Sequence, residues 1–255
     1  FINFRNFVKV CKEINPTTVI ANCELPELYA ALSPVPLHNL VIVEHTSLPW
    51  AGRRALGTLV RILLKLRKAS WITVNRNQKG IWPTGSSAGF IPNPAAVPNL
   101  DSSDKKNRFV FIGRLRPEKG IEGLLEAVSR SDSRIDVFGS GNLEEELKAK
   151  FSKSADFHGF VDNPWEQINR NQTLIVASQY EGDGIVIVEA IIAAMPLLLL
   201  DNKDLRRFQL PEVNYFKDFE VLKKKIEETK EDREIFRVTE EKSNEYIIER
   251  QLQNV

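Results

Sequence analysis

Short runs of β-branched and aliphatic residues punctuate the chain at Thr18 to Ala21, Leu40 to Val43, Trp71 to Val74, Phe109 to Ile112, Ile135 to Phe138, Leu174 to Ala177 and Leu197 to Leu200. Between most of them lie longer stretches with apolar residues at helical spacing, such as Ile121, Leu124, Leu125 and Val128. Strands that alternate with amphipathic helices predict an α/β fold with parallel sheets built from βαβ units. The opening residues Phe1 to Val10 read as a helix already under way. The segment Asp218 to Gln251 is highly charged, with Leu222 and Ile226, Ile235 and Val238, and Tyr246 and Ile247 at helical spacing, and predicts surface helices. Ile91 to Asn99 and Asp101 to Lys106 are rich in Pro and polar residues and read as an interdomain linker. The expected domains are therefore 1–94 and 95–255.

Composition narrows the classes. With 255 residues, 42% of them hydrophobic and 27% charged, the chain is long enough for two cores. A net charge of +1 makes no electrostatic case for nucleic acid. The longest apolar run, Ile185 to Leu200, contains Glu189 and Pro196 and falls short of the roughly 20 residues that span a bilayer. Cys11 and Cys23 have no framework or metal-ligand spacing, and with no signal-peptide pattern the expectation is a reducing, cytoplasmic location.

The most informative stretch is Ser178 to Ala190, which sets Glu181 and Asp183 just ahead of an apolar run and Glu189 inside it. A carboxylate among Ile, Val and Ala needs a partner or a ligand, because an unpaired buried charge is costly. Gly182 and Gly184 flank Asp183 and let backbone N–H groups approach a bound group at a helix start, where the dipole favours an anion. A helix cap at Glu181 and an internal ion pair at Glu189 would explain the same residues without a ligand. Gly113-Arg114-Leu115-Arg116-Pro117-Glu118-Lys119-Gly120 follows a buried strand, and cations at such a turn suit a diphosphate or are merely solvated. Gly139-Ser140-Gly141 could bring backbone close to a nucleotide or form a plain tight turn. These residues follow predicted strands, as does His45, and open α/β sheets bind ligands beyond the carboxyl ends of their strands. Two such domains would make a cleft between them.

The order Gly113-Arg114, Lys119-Gly120, Val137-Phe138-Gly139-Ser140-Gly141, Phe157-His158-Gly159-Phe160-Val161, then Glu181 and Glu189, resembles the C-terminal half of family 4 glycosyltransferases of the GT-B fold. Ile91-Pro92-Asn93-Pro94 is similar to the family's domain junction, and Leu40 to Ser47 to a strand ending in an active-site His. The resemblance implies two Rossmann-like domains and a retaining, metal-independent hexosyl transfer from a nucleotide-sugar to an acceptor hydroxyl, in polysaccharide or glycolipid biosynthesis. It implies that Arg114 and Lys119 stabilise the departing diphosphate and that Glu189 holds the ribose. Glu181, with the amides of Gly182, Asp183, Gly184 and Ile185, would fix the sugar. His45 would contact the sugar or acceptor side, unless it is a structural histidine. Gly113, Gly139 and Gly141 would approach the nucleotide, and Phe160 and Val161 would face its base.

Two features depart from the family pattern. Asp183 stands where an apolar or aromatic residue is usual, which would alter donor choice. No Gly precedes Gly52, so the family's early βα units are absent and the N-terminal sheet is expected to be incomplete. A non-catalytic nucleotide-sugar-binding chain that needs a partner is the alternative from another class, and an epimerase or phosphorylase of similar fold is a rival enzyme. The stretch Trp50 to Ser70 places Arg54, Arg61, Lys65 and Lys68 on one helical face and Leu56, Leu59, Val60 and Leu63 on another. That pattern fits peripheral contact with the inner membrane face and lipid-linked acceptors, or a packing helix with a solvated basic side.

Overall fold

The computed structural model describes residues 3–45, 49–50, 52–74, 89–101, 108–229 and 235–252. The predicted readings at Phe1 and Ile2, Thr46 and Ser47, and Ser102 to Lys106 lie outside these residues. The chain divides into two compact units, Phe1–Asn93 and Pro94–Val255.

The N-terminal unit runs α1 (Phe4–Ile14), β1 (Val19–Asn22), α2 (Glu24–Leu32), β2 (Leu40–Glu44), α3 (Arg54–Leu66), β3 (Ser70–Thr73) and β4 (Gly89–Phe90). Its strands form one parallel sheet in the order β1-β2-β3-β4, with Ala21 opposite Ile42 and Ile42 opposite Trp71. Period-two alternation sends Leu40, Ile42 and Glu44 to the buried face, under Ala30 and Ala31 of α2 and Val60 and Leu64 of α3. The first helix has its own start, because the Asn3 side chain accepts from the Asn6 amide.

Arg61 corrects the predicted basic face of α3. It is fully buried, paired with both Glu27 and Glu44, and lies 5.1 Å from the Trp71 ring centroid. Glu27 also accepts from the Trp50 indole at 2.9 Å. Helical spacing alone put Arg61 with the solvated cations, but two buried carboxylates on α2 and β2 determine where it points. Conversely, Leu59, which the pattern assigned to a packing face, is exposed together with Leu56, Ile62 and Leu66.

The C-terminal unit runs β5 (Phe109–Ile112), α4 (Ile121–Arg130), β6 (Ile135–Phe138), α5 (Glu144–Phe151), β7 (Ala155–Gly159), β8 (Thr173–Val176), α6 (Ile185–Ile192), β9 (Leu197–Leu200), α7 (Lys203–Arg206), β10 (Tyr215–Phe216), α8 (Phe219–Glu228) and α9 (Glu240–Leu252). Its sheet is parallel, in the order β10-β9-β8-β5-β6-β7. One core, with Ile121, Leu125, Leu222 and Ile226, lies under α4 and α8. The other, with Ile187, Val188, Ile191 and Phe208, lies under α6 and is closed by Tyr246 and Ile247 of α9. The expected surface helices α8 and α9 therefore seal both faces. The segment from Pro94 is packed on this unit: Ala95 and Leu100 lie against the core, and the Asp101 amide donates to the Ile168 carbonyl at 2.9 Å. Because β6 and β7 are added on one side of β5 while β8, β9 and β10 are added on the other, the strand order reverses between the parallel neighbours β5 and β8. A crevice at the carboxyl ends of the strands is expected at that switch point.

Candidate functional site

The loops after β5 and β8 meet at the switch point. Lys119 Nζ lies 2.7 Å from Glu181 Oε2, and each side chain retains 18% exposure. The backbone reinforces this junction, since the Gln179 amide donates to the Glu118 carbonyl at 2.9 Å. Gly120, at φ +64°, sits so close to Ala177 that a β-carbon would overlap the Ala177 carbonyl. Only glycine satisfies both the left-handed backbone and the approach. Arg114 on the same loop is exposed, and the described residues supply it with no partner. The loop that follows β5 thus carries both a partly sheltered ammonium and an exposed guanidinium.

Gly184, at φ +65°, turns the chain into α6 with no side-chain cap, so the Ile185 and Val186 amides stay open to an anion while those of Ile187 and Val188 donate to the Gly184 carbonyl. Asp183 is buried, whereas Ile185 is exposed. Glu189, two turns along, is half-buried and accepts from the Trp165 indole at 2.9 Å and from the Ala96 amide. Burial pushes its carboxyl above the ordinary glutamate value, and these two donors partly restore the charged form. Its internal partners among the described residues are therefore neutral donors, and the ion pair that would have explained this carboxylate without a ligand is not what holds it.

Gly113, Gly139 and Gly141 lie side by side in loops that stack on one another. A β-carbon on Gly139 would overlap the Gly113 carbonyl, and one on Gly141 would overlap the Leu115 carbonyl. The Gly139 amide donates to the Gly159 carbonyl at 2.7 Å. Loop-on-loop packing thus accounts for Gly139 and Gly141 directly. The Phe157 to Val161 turn begins as strand β7, whose Ala155 pairs with Ile135. Phe160 is 74% exposed, while Val161 packs against the core. His158 stacks on Phe138 at 4.4 Å and bonds Asp136 at 2.8 Å, which makes it a structural histidine. In the N-terminal unit, His45 follows β2, and its Nε2 lies 3.3 Å from Asn22 Oδ1. A cavity of about 700 Å³ in that unit is lined by Phe7, Ile20, Cys23, Leu25, Tyr29 and Glu44 among others, and contains none of the predicted site residues.

Sequence reasoning missed Asn202, Asp204 and Arg207, which fasten the Ser178 to Gly184 loop. Asn202 donates to the Ser178 carbonyl at 2.8 Å, Asp204 accepts from the Glu181 amide at 2.9 Å, and Arg207 Nη1 donates to the Gly182 carbonyl. Burial lowers the Arg207 proton affinity, and Asp183, Glu181 and Asp204 oppose that shift. Its Nη2 is buried and has no hydrogen-bond partner among the described residues. The signal was available, because these residues follow β9 at the same edge of the sheet as the other loops. Among the described residues no group of His, Cys, Asp and Glu is arranged to hold a metal ion.

A family model described as glycosyl transferases group 1 matches residues 94–250. The poly(glycerol-phosphate) α-glucosyltransferase of Bacillus subtilis (strain 168) is 28% identical over 120 residues, which is 43% of this chain and 18% of that enzyme. Staphylococcus aureus TarM, solved as a variant with UDP and α-GlcNAc-glycerol among its ligands, superposes with a TM-score of 0.70 at 16% identity. The match covers 96% of this chain, which spans about half of TarM, at 55%. Anabaena HepE, solved with UDP and glucose, superposes with a TM-score of 0.74 at 16% identity over 98% of this chain and 77% of that one. These likenesses show the GT-B fold.

Proposed function

The chain belongs to the glycosyl transferases group 1 family, and on that premise we propose that it moves a hexose from a nucleoside-diphosphate sugar to an acceptor hydroxyl with retention at the anomeric carbon. The observation that carries this reading is the Lys119–Glu181 pair at the strand ends, on loops that also carry exposed Arg114 and lead into the uncapped start of α6. Breaking the bond between the anomeric carbon and the diphosphate oxygen leaves negative charge on the diphosphate. Arg114 and Lys119 are the cations placed to meet it, a preorganised electrostatic role. With donor absent, Glu181 neutralises Lys119. With donor bound, the diphosphate takes over Lys119, and Glu181 is released to accept from sugar hydroxyls, while the amides of Gly182 to Ile185 donate to the donor's oxygens. Glu189 accepts from the ribose hydroxyls, held in place by Trp165 and Ala96. Phe160 and Val161 face the base, and His45 serves the sugar or acceptor side. In this scheme the protein's own cations replace a metal ion.

UDP-hexoses are the first donors to test, and polyol-phosphate polymers the first acceptors, in keeping with the B. subtilis relative and with the UDP-bound TarM and HepE structures. The test incubates the chain with UDP-, GDP- and ADP-sugars and either glycerol-phosphate or ribitol-phosphate polymer, measuring nucleoside diphosphate release. Nuclear magnetic resonance reads the product anomer, and EDTA tests metal dependence. An α-linked product from an α-linked donor, formed in EDTA, supports the reading. An inverted product or an absolute metal requirement refutes those parts of it, and saturable binding without turnover favours the non-catalytic alternative.

A further inference from the structure

The charge of the chain is unevenly divided. Of the Lys and Arg residues eleven fall within residues 1–93, against four acids and no Asp, so the N-terminal unit carries +7 and the rest −6. Two of those four acids, Glu27 and Glu44, are buried on Arg61, and Glu24 accepts from the Trp50 amide at 2.7 Å. The surface of this unit is therefore cationic well beyond what the whole-chain charge indicates.

Within that unit, α2 and α3 pack side by side, and Arg67 at the end of α3 donates to the Ala31 and Ser33 carbonyls at the end of α2. Gly57, Val60, Arg61 and Leu64 of α3 face inward. On the opposite side Leu56, Leu59, Ile62 and Leu66 form an outward stripe, with Leu59 at 55% and Leu66 at 75% exposure. Leu25 and Leu32, two turns apart on α2, are exposed as well. Spacings of three and four residues put such side chains on one helix face. Arg53 and Arg54 stand at the start of α3 and Lys65 and Lys68 at its end, all exposed. Cations at a helix N-terminus oppose the dipole, so Arg53 and Arg54 are not there to stabilise the helix. The surface helix α8 gives the contrast: it begins with the Asp218 cap and Glu220 and carries a Lys223–Glu227 pair.

We propose that the outer face of α2 and α3 docks the protein on an anionic lipid bilayer. The leucines enter the headgroup boundary, and Arg53, Arg54, Lys65 and Lys68 meet lipid phosphates on either side. A polymeric phosphate would be gripped by cations alone and has no use for the leucine stripe, so the bilayer is the occupant that accounts for both features. The inference does not depend on sugar transfer, and its test reads no turnover.

The full chain is sedimented with vesicles of phosphatidylcholine alone and with vesicles containing about one-third phosphatidylglycerol, across a salt series that screens surface charge. The expected result is binding only to the phosphatidylglycerol vesicles, weakening as salt rises. Binding should fall about tenfold or more both in Leu59→Gln/Ile62→Gln/Leu66→Gln and in Arg53→Gln/Arg54→Gln. Absence of binding to the anionic vesicles by the unsubstituted chain overturns the proposal. So does unchanged binding by the leucine variant together with displacement by soluble polyphosphate, which would identify a polyanion site. If a variant loses its circular dichroism spectrum, the dependence on lipid charge and salt in the unsubstituted chain decides, and binding indifferent to phosphatidylglycerol overturns the proposal.

Discussion

Replacing Arg207 by Met removes the cation that holds the Gly182 carbonyl and faces buried Asp183. A hydrogen bond from a charged donor contributes about 1.5–3 kcal/mol net. Leaving a fully buried charge without its partner costs about 3–5 kcal/mol. Arg207 is only partly buried and Asp183 keeps another interaction, so the second contribution belongs at or below the low end of that range. Methionine retains part of the packing over Phe208, whose ring centroid lies 4.7 Å from the guanidinium. The expected loss is therefore about 2–4 kcal/mol, or a fall of roughly 5–15 °C in Tm for a unit of this size. Asp183→Asn removes the charge that Arg207 faces, so the two substitutions must couple. In a double-mutant cycle followed by denaturant unfolding, the doubly substituted chain should be more stable than the sum of the single losses predicts, by about 1–2 kcal/mol. Strict additivity, or a loss below about 0.5 kcal/mol for Arg207→Met, would refute the account of how this loop is held, because surface substitutions alone have effects of that size.

Glu189→Gln separates stability from binding. Burial raises the Glu189 carboxyl in the folded protein, so its contribution to stability is fully present below the unfolded value and lost as pH rises through the folded one. The Gln variant should accordingly have a higher Tm than the parent near neutral pH and no advantage in acid, while nucleotide affinity falls about tenfold or more through the lost charge-assisted bonds to ribose. A matching loss of Tm and of affinity would assign Glu189 a structural role. Gly120→Ala forces a β-carbon onto the Ala177 carbonyl from a left-handed backbone and should cost on the order of 3 kcal/mol or more. A soluble variant of parental stability in urea would contradict that packing.

Several strands were legible because central parallel strands are continuous apolar runs: Phe109–Ile112, Ile135–Phe138 and Leu197–Leu200 fall where the pattern put them. Strands β4 and β10 were not, since a two-residue strand has no periodicity to detect. Strand β7 was missed because Asp156 and His158 interrupt its apolar character, and these pair with Arg134 and Asp136. The site loops were legible from glycines and charges after strands. What the pattern could not give was pairing, such as Lys119 with Glu181, Glu189 with Trp165, and Arg207 with the Gly182 carbonyl, because each joins segments far apart in sequence. Arg61 shows the same limit most clearly, since its partners override its place on the helical wheel. The surface charge of residues 1–93 was present in the sequence but cancelled in the whole-chain sum.

Calorimetric titration of UDP, GDP, ADP and their sugar conjugates into this chain and into Arg114→Ala/Lys119→Ala tests the central claim most directly. The account predicts saturable binding by one nucleotide series, weakened about 100-fold or more in the folded variant as two charge-assisted contacts to the diphosphate are lost. Equal affinity in the two proteins, or no binding by any of these nucleotides to the folded chain, would contradict a donor site at the carboxyl ends of β5 and β8.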